Sequence, residues 1–344
     1  MNSSDENELF ESSAPSLSLL ILHNSLIILI TLFGNFLLMG VVIRSNKVKK
    51  RKRVTPMQLL MLNMSLADIS FALLSIFPNL LTTLTVPVFY GPNLLCKFVK
   101  FLQVIPLYAS SFLLVAISAD RYNAICRPLD SMRVGVYNRP SLYATLAWTF
   151  ALIFATPQLL LFYKEGDDCI ASYSQPWQYV LYVCMFNTLV WLVPSFLAGS
   201  FYFLVCRAVC KSLASKNVYQ KKNDVSNENT LQLHHRGERI RSVNVFDRRR
   251  VQTVRQTLTI VAANFLLWAP FCLMQVIDAI QPSAISPAFA TYILFFGNLN
   301  SCVNPWIWFF FNRQLLKFIK GGKKVAGKYS RTEISCSSRP TTAE

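Results

Sequence analysis

The sequence predicts an all-α membrane protein, a seven-transmembrane helix bundle with a short amphipathic C-terminal helix. Three observations carry that reading. Seven separate segments are largely apolar over about 20 residues or more, the length that crosses a hydrocarbon core. Of the 344 residues 53% are hydrophobic and only 15% charged, which suits a lipid-facing surface and would leave a soluble domain short of polar cover. Finally, 31 of the 34 Lys and Arg residues fall in alternate connecting segments, as the positive-inside rule requires of inner loops.

The elements follow in order. Residues 1–16 form a polar, acidic tail with no basic run ahead of an apolar core, so no cleavable signal peptide is expected and the first span serves as the insertion signal. The spans are 17–43, 56–83, 95–122, 141–163, 177–206, 251–280 and 287–311, so the membrane-spanning body covers 17–311. Basic residues crowd 44–53, 121–139, 207–255 and the tail from Arg313, leaving only Lys97, Lys100 and Lys164 on the other side. This puts the N-terminus outside and the C-terminus inside, at the plasma membrane. Contact with anionic lipid accounts for the 44–53 run without any specific partner.

The third inner loop, about 207–250, is polar and reads as disordered in its middle, with Asp247-Arg-Arg-Arg continuing the sixth helix. In the segment 312–344, Phe311, Leu315, Phe318 and Ile319 share one helical face, as in a helix lying on the inner leaflet. Ser330, Thr332, Ser335, Ser337, Ser338, Thr341 and Thr342 offer phosphorylation sites, although an ordinary polar tail has the same composition. Cys336 is a candidate for palmitoylation. Asn2-Ser3-Ser4 is a glycosylation sequon on the outer tail, and Asn63-Met64-Ser65 is one by spelling only, since it lies within the second span.

Several function classes drop out. The nine cysteines show no metal-ligand spacing, and the three histidines, His23, His234 and His235, cannot assemble a catalytic set with paired acids or a serine. No enzyme and no cofactor is expected. A transporter would show internal repeats or matched broken helices, and none is found. The charge of +17 follows from topology and implies no nucleic-acid partner.

What remains costly is polar. Asn35 in the first span, Asp68 in the second, and Asn300, Ser301 and Asn304 in the seventh would each be expensive against lipid, about 2.5–3.5 kcal/mol for an acid on insertion scales. One shared hydrated interior satisfies them together. Their contexts are Gly34-Asn35, Leu66-Ala67-Asp68, Asp120-Arg121-Tyr122, a lone Trp148 in the fourth span, Trp268-Ala269-Pro270 and Asn304-Pro305. Six such motifs, in order and each in its own span, resemble the rhodopsin-like G-protein-coupled receptors over nearly the whole chain.

The resemblance implies roles. Arg121 pairs with Asp120 at rest and turns to a heterotrimeric G protein when active. Pro270 removes one backbone hydrogen bond and makes a hinge in the sixth span, with Trp268 coupling it to ligand. Tyr202, eight residues after Pro194, supports the active state, and Tyr122 completes the third-span motif. Asp68, Ser110, Asn300 and Asn304 resemble an allosteric sodium pocket. One departure stands out: Trp308 occupies the place of the family tyrosine after Asn304-Pro305, and its indole can only donate.

Ligand classes narrow further. No lysine in the seventh span can hold retinal, and Gln103 stands where amine receptors carry an aspartate. Cys96, Lys100, Gln103 and Leu107 share one face of the third helix, Gln103 about 10 Å below Cys96. Gln158 and Gln275 converge from the fourth and sixth spans. Amides both donate and accept, which suits peptide backbone, though interhelical glue is the alternative for each.

The runs Tyr90–Lys97, Val99–Val104 and Tyr108-Ala109-Ser110, with Pro157-Gln158, Gln175-Pro176-Trp177 and Asn300-Ser301-Cys302, resemble the vasopressin/oxytocin receptor family. That resemblance implies a peptide hormone or neuropeptide agonist bound through Lys100, Gln103, Gln158, Phe271 and Gln275, with coupling to the phospholipase C/calcium branch. Expected glutamines are replaced by Ser75 and Asn79, an outer acid by Leu20, a tryptophan by Ile170 and a phenylalanine by Cys272. The chain thus reads as a divergent member, and a gonadotropin-releasing-hormone-like or crustacean-cardioactive-type peptide stays open as agonist. Cys96 and Cys169 are the two cysteines expected at the oxidising outer face, and a bond between them would tie the second outer loop to the third span.

Overall fold

The computed structural model describes residues 16–48, 54–85, 89–127, 138–226, 233–282 and 284–313, with side chains described outside 138 and 212–250. Asn2, the inner-leaflet helix beyond Arg313, the phosphorylation sites and Cys336 lie outside the described residues, as does most of the second inner loop.

Among the described residues, six helices are long and apolar enough to cross a membrane: Leu17–Val48, Pro56–Leu84, Asn93–Cys126, Arg139–Leu161, Pro176–Lys211 and Val251–Ile280. The seventh span is folded as two 12-residue helices, Pro287–Asn298 and Asn300–Phe311, meeting at Leu299. The first span shows why the chain suits lipid: Leu22, Leu26, Leu29, Phe33 and Phe36 recur at helical spacing on one exposed stripe. Its opposite stripe, Ile27, Thr31, Asn35, Leu38 and Val42, is buried in the bundle.

The third span is the central post. Leu113, Leu114 and Ile117 pack with Leu60, Met61 and Met64 of the second span and with the small Ala144, Ala147 and Ala151 of the fourth. Such small side chains let membrane helices approach closely. Trp148 donates from Nε1 to Asn63 Oδ1 at 3.2 Å, while Asn63 Nδ2 reaches the Leu59 carbonyl. This explains the lone tryptophan of the fourth span, and it puts the second sequon asparagine inside the bundle.

Proline shapes the spans. A π-helical turn runs Ala72–Ile76 and another Thr188–Leu192, each ending two residues before a proline, Pro78 and Pro194. A proline supplies no donor and presses on the carbonyl four residues back, and a widened turn relieves both. In the seventh span Pro305 leaves the Ser301 carbonyl without its helical donor. Asn35 of the first span fills the gap, donating from Nδ2 at 3.2 Å. The two spans pack closely there: a Cβ at Gly34 would sit 3.4 Å from Pro305 Cγ, in ordinary contact.

The fourth span ends earlier than its apolar run suggests. Phe162–Glu165 (β1) turns out of the helix and pairs antiparallel with Asp168–Ala171 (β2), Glu165 opposite Asp168. The two-residue turn requires a left-handed residue, and Gly166 supplies it at φ 57°. The expected continuation of the helix to Tyr163 is thus corrected. Phe162 and Tyr163 are apolar enough to extend a span by composition, yet they lie in a strand over the outer face.

Candidate functional site

An outer cavity of about 940 Å³ opens between the second, third, sixth and seventh spans under this hairpin, at the upper end of the range for ligand pockets. Lys100, Gln103 and Leu107 line it from the third span, as their common helical face predicts, and Phe271 and Gln275 line it from the sixth. Trp268 forms part of its floor and packs edge-on against Phe271, ring centres 5.5 Å apart.

Gln158 is the exception among the expected ligand contacts. It is 4% exposed, is absent from the cavity wall, and donates from Nε2 to the Tyr182 hydroxyl of the fifth span. Of the two readings open for each glutamine, its contacts are those of interhelical glue. Gln275 behaves oppositely: the residue lines the cavity, while its Oε1 is buried without a hydrogen-bond partner. A buried acceptor of this kind is costly until something donates to it.

Four of the five positions that depart from the resemblance, Leu20, Ser75, Asn79 and Ile170, also line the cavity, whereas Cys272 is buried away from it. Asn79 Oδ1 accepts from Gln103 Nε2 at 3.2 Å, and Ser75 Oγ donates to the Gln103 backbone carbonyl. Gln103 is therefore oriented by the two residues that sequence comparison marked as substitutions. Asn24, Thr291 and Phe295 are further wall residues that the sequence did not single out. Phe295 stacks on His23 with ring centres 3.8 Å apart, a pairing across 272 residues that no local pattern announces.

The hairpin is fastened above the cavity. Cys169 of β2 is disulfide-bonded to Cys96 at the top of the third span, as expected for the two outer cysteines. Lys164 adds two ties: its backbone N–H donates to Asn93 Oδ1 and its Nζ to the Gly91 carbonyl, both at 2.9 Å. Phe162 lies under the Lys100 ammonium, 5.4 Å from ring centre to Nζ, within cation–π range. Outside the spans, Tyr163 donates to Glu165 Oε2 at 2.7 Å, and this bond to a carboxylate pushes the phenol above its ordinary value.

Below the floor lies a second, much smaller space of about 10 Å³, lined by Asp68, Ser110, Trp268, Asn300 and Ser301 among others. It has room for about one water-sized particle. Asn304 Nδ2 donates to Asp68 Oδ2 at 3.1 Å, and Asn264 Nδ2 to Asn300 Oδ1 at 3.4 Å. An acid, one amide and two hydroxyls around so small a volume form a donor set of hard oxygens, which fits a small cation. Asn304 contributes through Asp68 rather than from the wall itself.

At the inner end, Arg121 forms an ion pair with its neighbour Asp120, its Nε donating at 3.1 Å. Tyr122 packs on Phe201, and Arg127 lies over the Tyr122 ring. Tyr202 is 2% exposed, and Trp308 is buried in the same core. This order of features, large cavity, Trp268 floor, polar chamber and the Asp120–Arg121 pair, runs through one bundle.

A profile of the 7 transmembrane receptor (rhodopsin family) matches residues 34–308. The chain belongs to that family. Nematocin receptor 1 of Caenorhabditis elegans is 59% identical over 310 residues, covering 88% of this chain and 82% of its own length. Nematocin receptor 2 of the same organism is 42% identical, with 99% and 91% covered. The human vasopressin V1b receptor is 34% identical, with 86% and 74% covered.

The receptor is thus a multi-pass membrane protein of a signalling family and not an enzyme, as the absence of any catalytic pattern in the sequence led us to expect. Its vasopressin-type resemblance, drawn from the third-span runs, agrees with these relatives.

Proposed function

We propose that this receptor binds a vasopressin/oxytocin-like neuropeptide in the 940 Å³ outer cavity and passes the binding event to a heterotrimeric G protein at the inner face. The convergence of Lys100, Gln103, Phe271 and Gln275 on one cavity carries the reading. Two amides and an ammonium suit a peptide backbone, which presents donors and acceptors in alternation. The names of the relatives point to the same ligand class.

In this reading the N-terminus is extracellular and the C-terminus cytoplasmic, consistent with the charge asymmetry. Bound peptide presses on Trp268 through Phe271, Pro270 serves as the hinge, and the sixth span opens toward the G protein. Arg121 then leaves Asp120 for the G protein, with Tyr202 beneath it. A sodium ion, when bound at Asp68, would neutralise that acid and favour the resting packing around Trp268, with Ser110, Asn300 and Ser301 as its remaining oxygen donors. Arrestin would follow phosphorylation of the tail, and the basic inner segments would lie against anionic lipid. Coupling is assigned to the phospholipase C/calcium branch.

Calcium imaging of cells expressing the receptor tests this directly. Vasopressin/oxytocin-type peptides should raise calcium at nanomolar to micromolar concentrations. Activation instead by gonadotropin-releasing or crustacean-cardioactive-type peptides alone would overturn the ligand assignment, and a cyclic-AMP response without calcium would overturn the coupling.

A further inference from the structure

The inner ends of the sixth and seventh spans are joined by amides. Gln252 donates from Nε2 to the backbone carbonyl of Phe311. Asn312 Nδ2 reaches Gln256 Oε1 and the Trp308 carbonyl, each at 2.9 Å. Gln252 and Gln256 are one turn apart, so both face the same neighbour. The Phe311 carbonyl lies in the last turn of its helix, Asn300–Phe311. The sixth span thus caps the end of the seventh.

Two further observations give this joint a purpose beyond packing. Gln256 is 5% exposed, yet its Nε2 is buried without a hydrogen-bond partner. The closed arrangement therefore leaves one donor unmet, and outward movement of the helix would hydrate it. Among the described residues, moreover, the ion pair of Arg121 is with its own neighbour Asp120 and ties nothing to the sixth span. The Trp308 backbone carbonyl, within the seventh span, accepts the second bond of Asn312 and helps hold that amide in place.

We propose that Gln252, Gln256 and Asn312 form an amide latch that holds the sixth span closed at its inner end, and that G-protein engagement requires the latch to open. The inference rests on the signalling reading above but not on the identity of the peptide. Its two hydrogen bonds connect a moving helix to a fixed one, and each is weak enough to break when ligand binding favours the open state.

The test needs no agonist. Membranes bearing wild-type receptor, Asn312→Ala, Gln256→Leu, Gln252→Ala or the Asn312→Ala/Gln256→Leu double variant are supplied with purified G proteins of several classes. Nucleotide exchange is then measured per receptor at the surface. Each single variant should raise ligand-independent exchange by about two- to tenfold, the range expected for one lost hydrogen bond. The double variant should match the larger single, because both remove the same bond. Gln252 is exposed, so its variant retains the fold even where a buried substitution does not. Backbone hydrogen exchange across 252–260 in purified receptor gives a second measurement free of any G protein, and it should quicken in Asn312→Ala. Unchanged basal activity and unchanged exchange in Asn312→Ala and Gln252→Ala would overturn the latch.

Discussion

Two glutamines that look alike in the sequence are different objects in the fold. Gln103 sits in the cavity wall, its amide oriented by Asn79. Gln158 is buried against Tyr182. Gln103→Ala should lower peptide potency about tenfold or more at unchanged surface level, a loss typical of a buried polar contact, read in a concentration–response curve. Gln158→Ala should chiefly lower the thermal midpoint of purified receptor, with little change in potency for whatever reaches the surface. Reversal of that pattern would exchange their roles. Helical periodicity made the Gln103 face legible because Lys100, Gln103 and Leu107 are on one helix. Nothing local distinguishes Gln158 as ligand contact from Gln158 as glue, since the deciding partner lies on another span.

Asp68 belongs to the same scale. Asp68→Asn keeps the hydrogen-bonding shape toward Asn304 but removes the charge that would hold a cation. Agonist affinity in the wild type should fall as sodium replaces a bulky organic cation at constant ionic strength. The variant should show no such dependence, and a sodium effect that persists in it would remove Asp68 from the site.

Among the elements, the third span was the most readable and the fourth the least. An unbroken apolar run says how far a helix could extend but not where the chain leaves it, so the strand at Phe162–Glu165 was hidden in composition. The π turns were likewise illegible, although the prolines that accompany them were plain. The second of these turns carries Trp191, which stacks on Phe265 and donates from Nε1 to its backbone carbonyl at 3.2 Å, joining the fifth span to the sixth one turn below Pro270. Trp191→Phe keeps an aromatic ring against Phe265 and removes the bond. A loss of about 1 kcal/mol or less in stability is expected, seen as a small drop in thermal midpoint, and no drop would mean the stack alone holds the helices.

The hairpin makes a sharper prediction. Cys96→Ala frees β2 from the third span while leaving the Lys164 ties in place. Closing a loop of this length is worth about 4 kcal/mol in the chain-entropy account, and Cys96 also fixes the roof of the cavity. Radiolabelled-peptide binding at the cell surface should be lost in Cys96→Ala and in Cys169→Ala alike. Full binding in either variant would show that the lysine ties suffice.

At the scale of the whole molecule, the fold was legible because a bilayer imposes strong constraints: apolar length, polar residues turned inward, and basic loops kept on one side. The contacts closing the outer cavity were not legible, since they join residues far apart in the chain, as His23 meets Phe295. Orientation follows from charge and is open to a simple check. An epitope ahead of Leu17 should be detected on intact cells, and one after residue 313 only after permeabilisation. The opposite staining would invert the receptor and with it every assignment of cavity and signalling face.

The bond from Asn35 to the Ser301 carbonyl has a consequence for how such a chain is made. The first and seventh spans are the earliest and latest of the bundle to be synthesised. Pro305 leaves the later one with an acceptor that neither lipid nor its own helix can serve. Until the earlier span swings alongside, the newborn chain carries an exposed defect in the hydrocarbon layer, of the kind that retains immature membrane proteins at their site of synthesis. Joining the two ends removes it, so ring closure of the bundle acts as its own certificate of completion. Asn35→Ala should therefore leave an excess of immature receptor inside the cell.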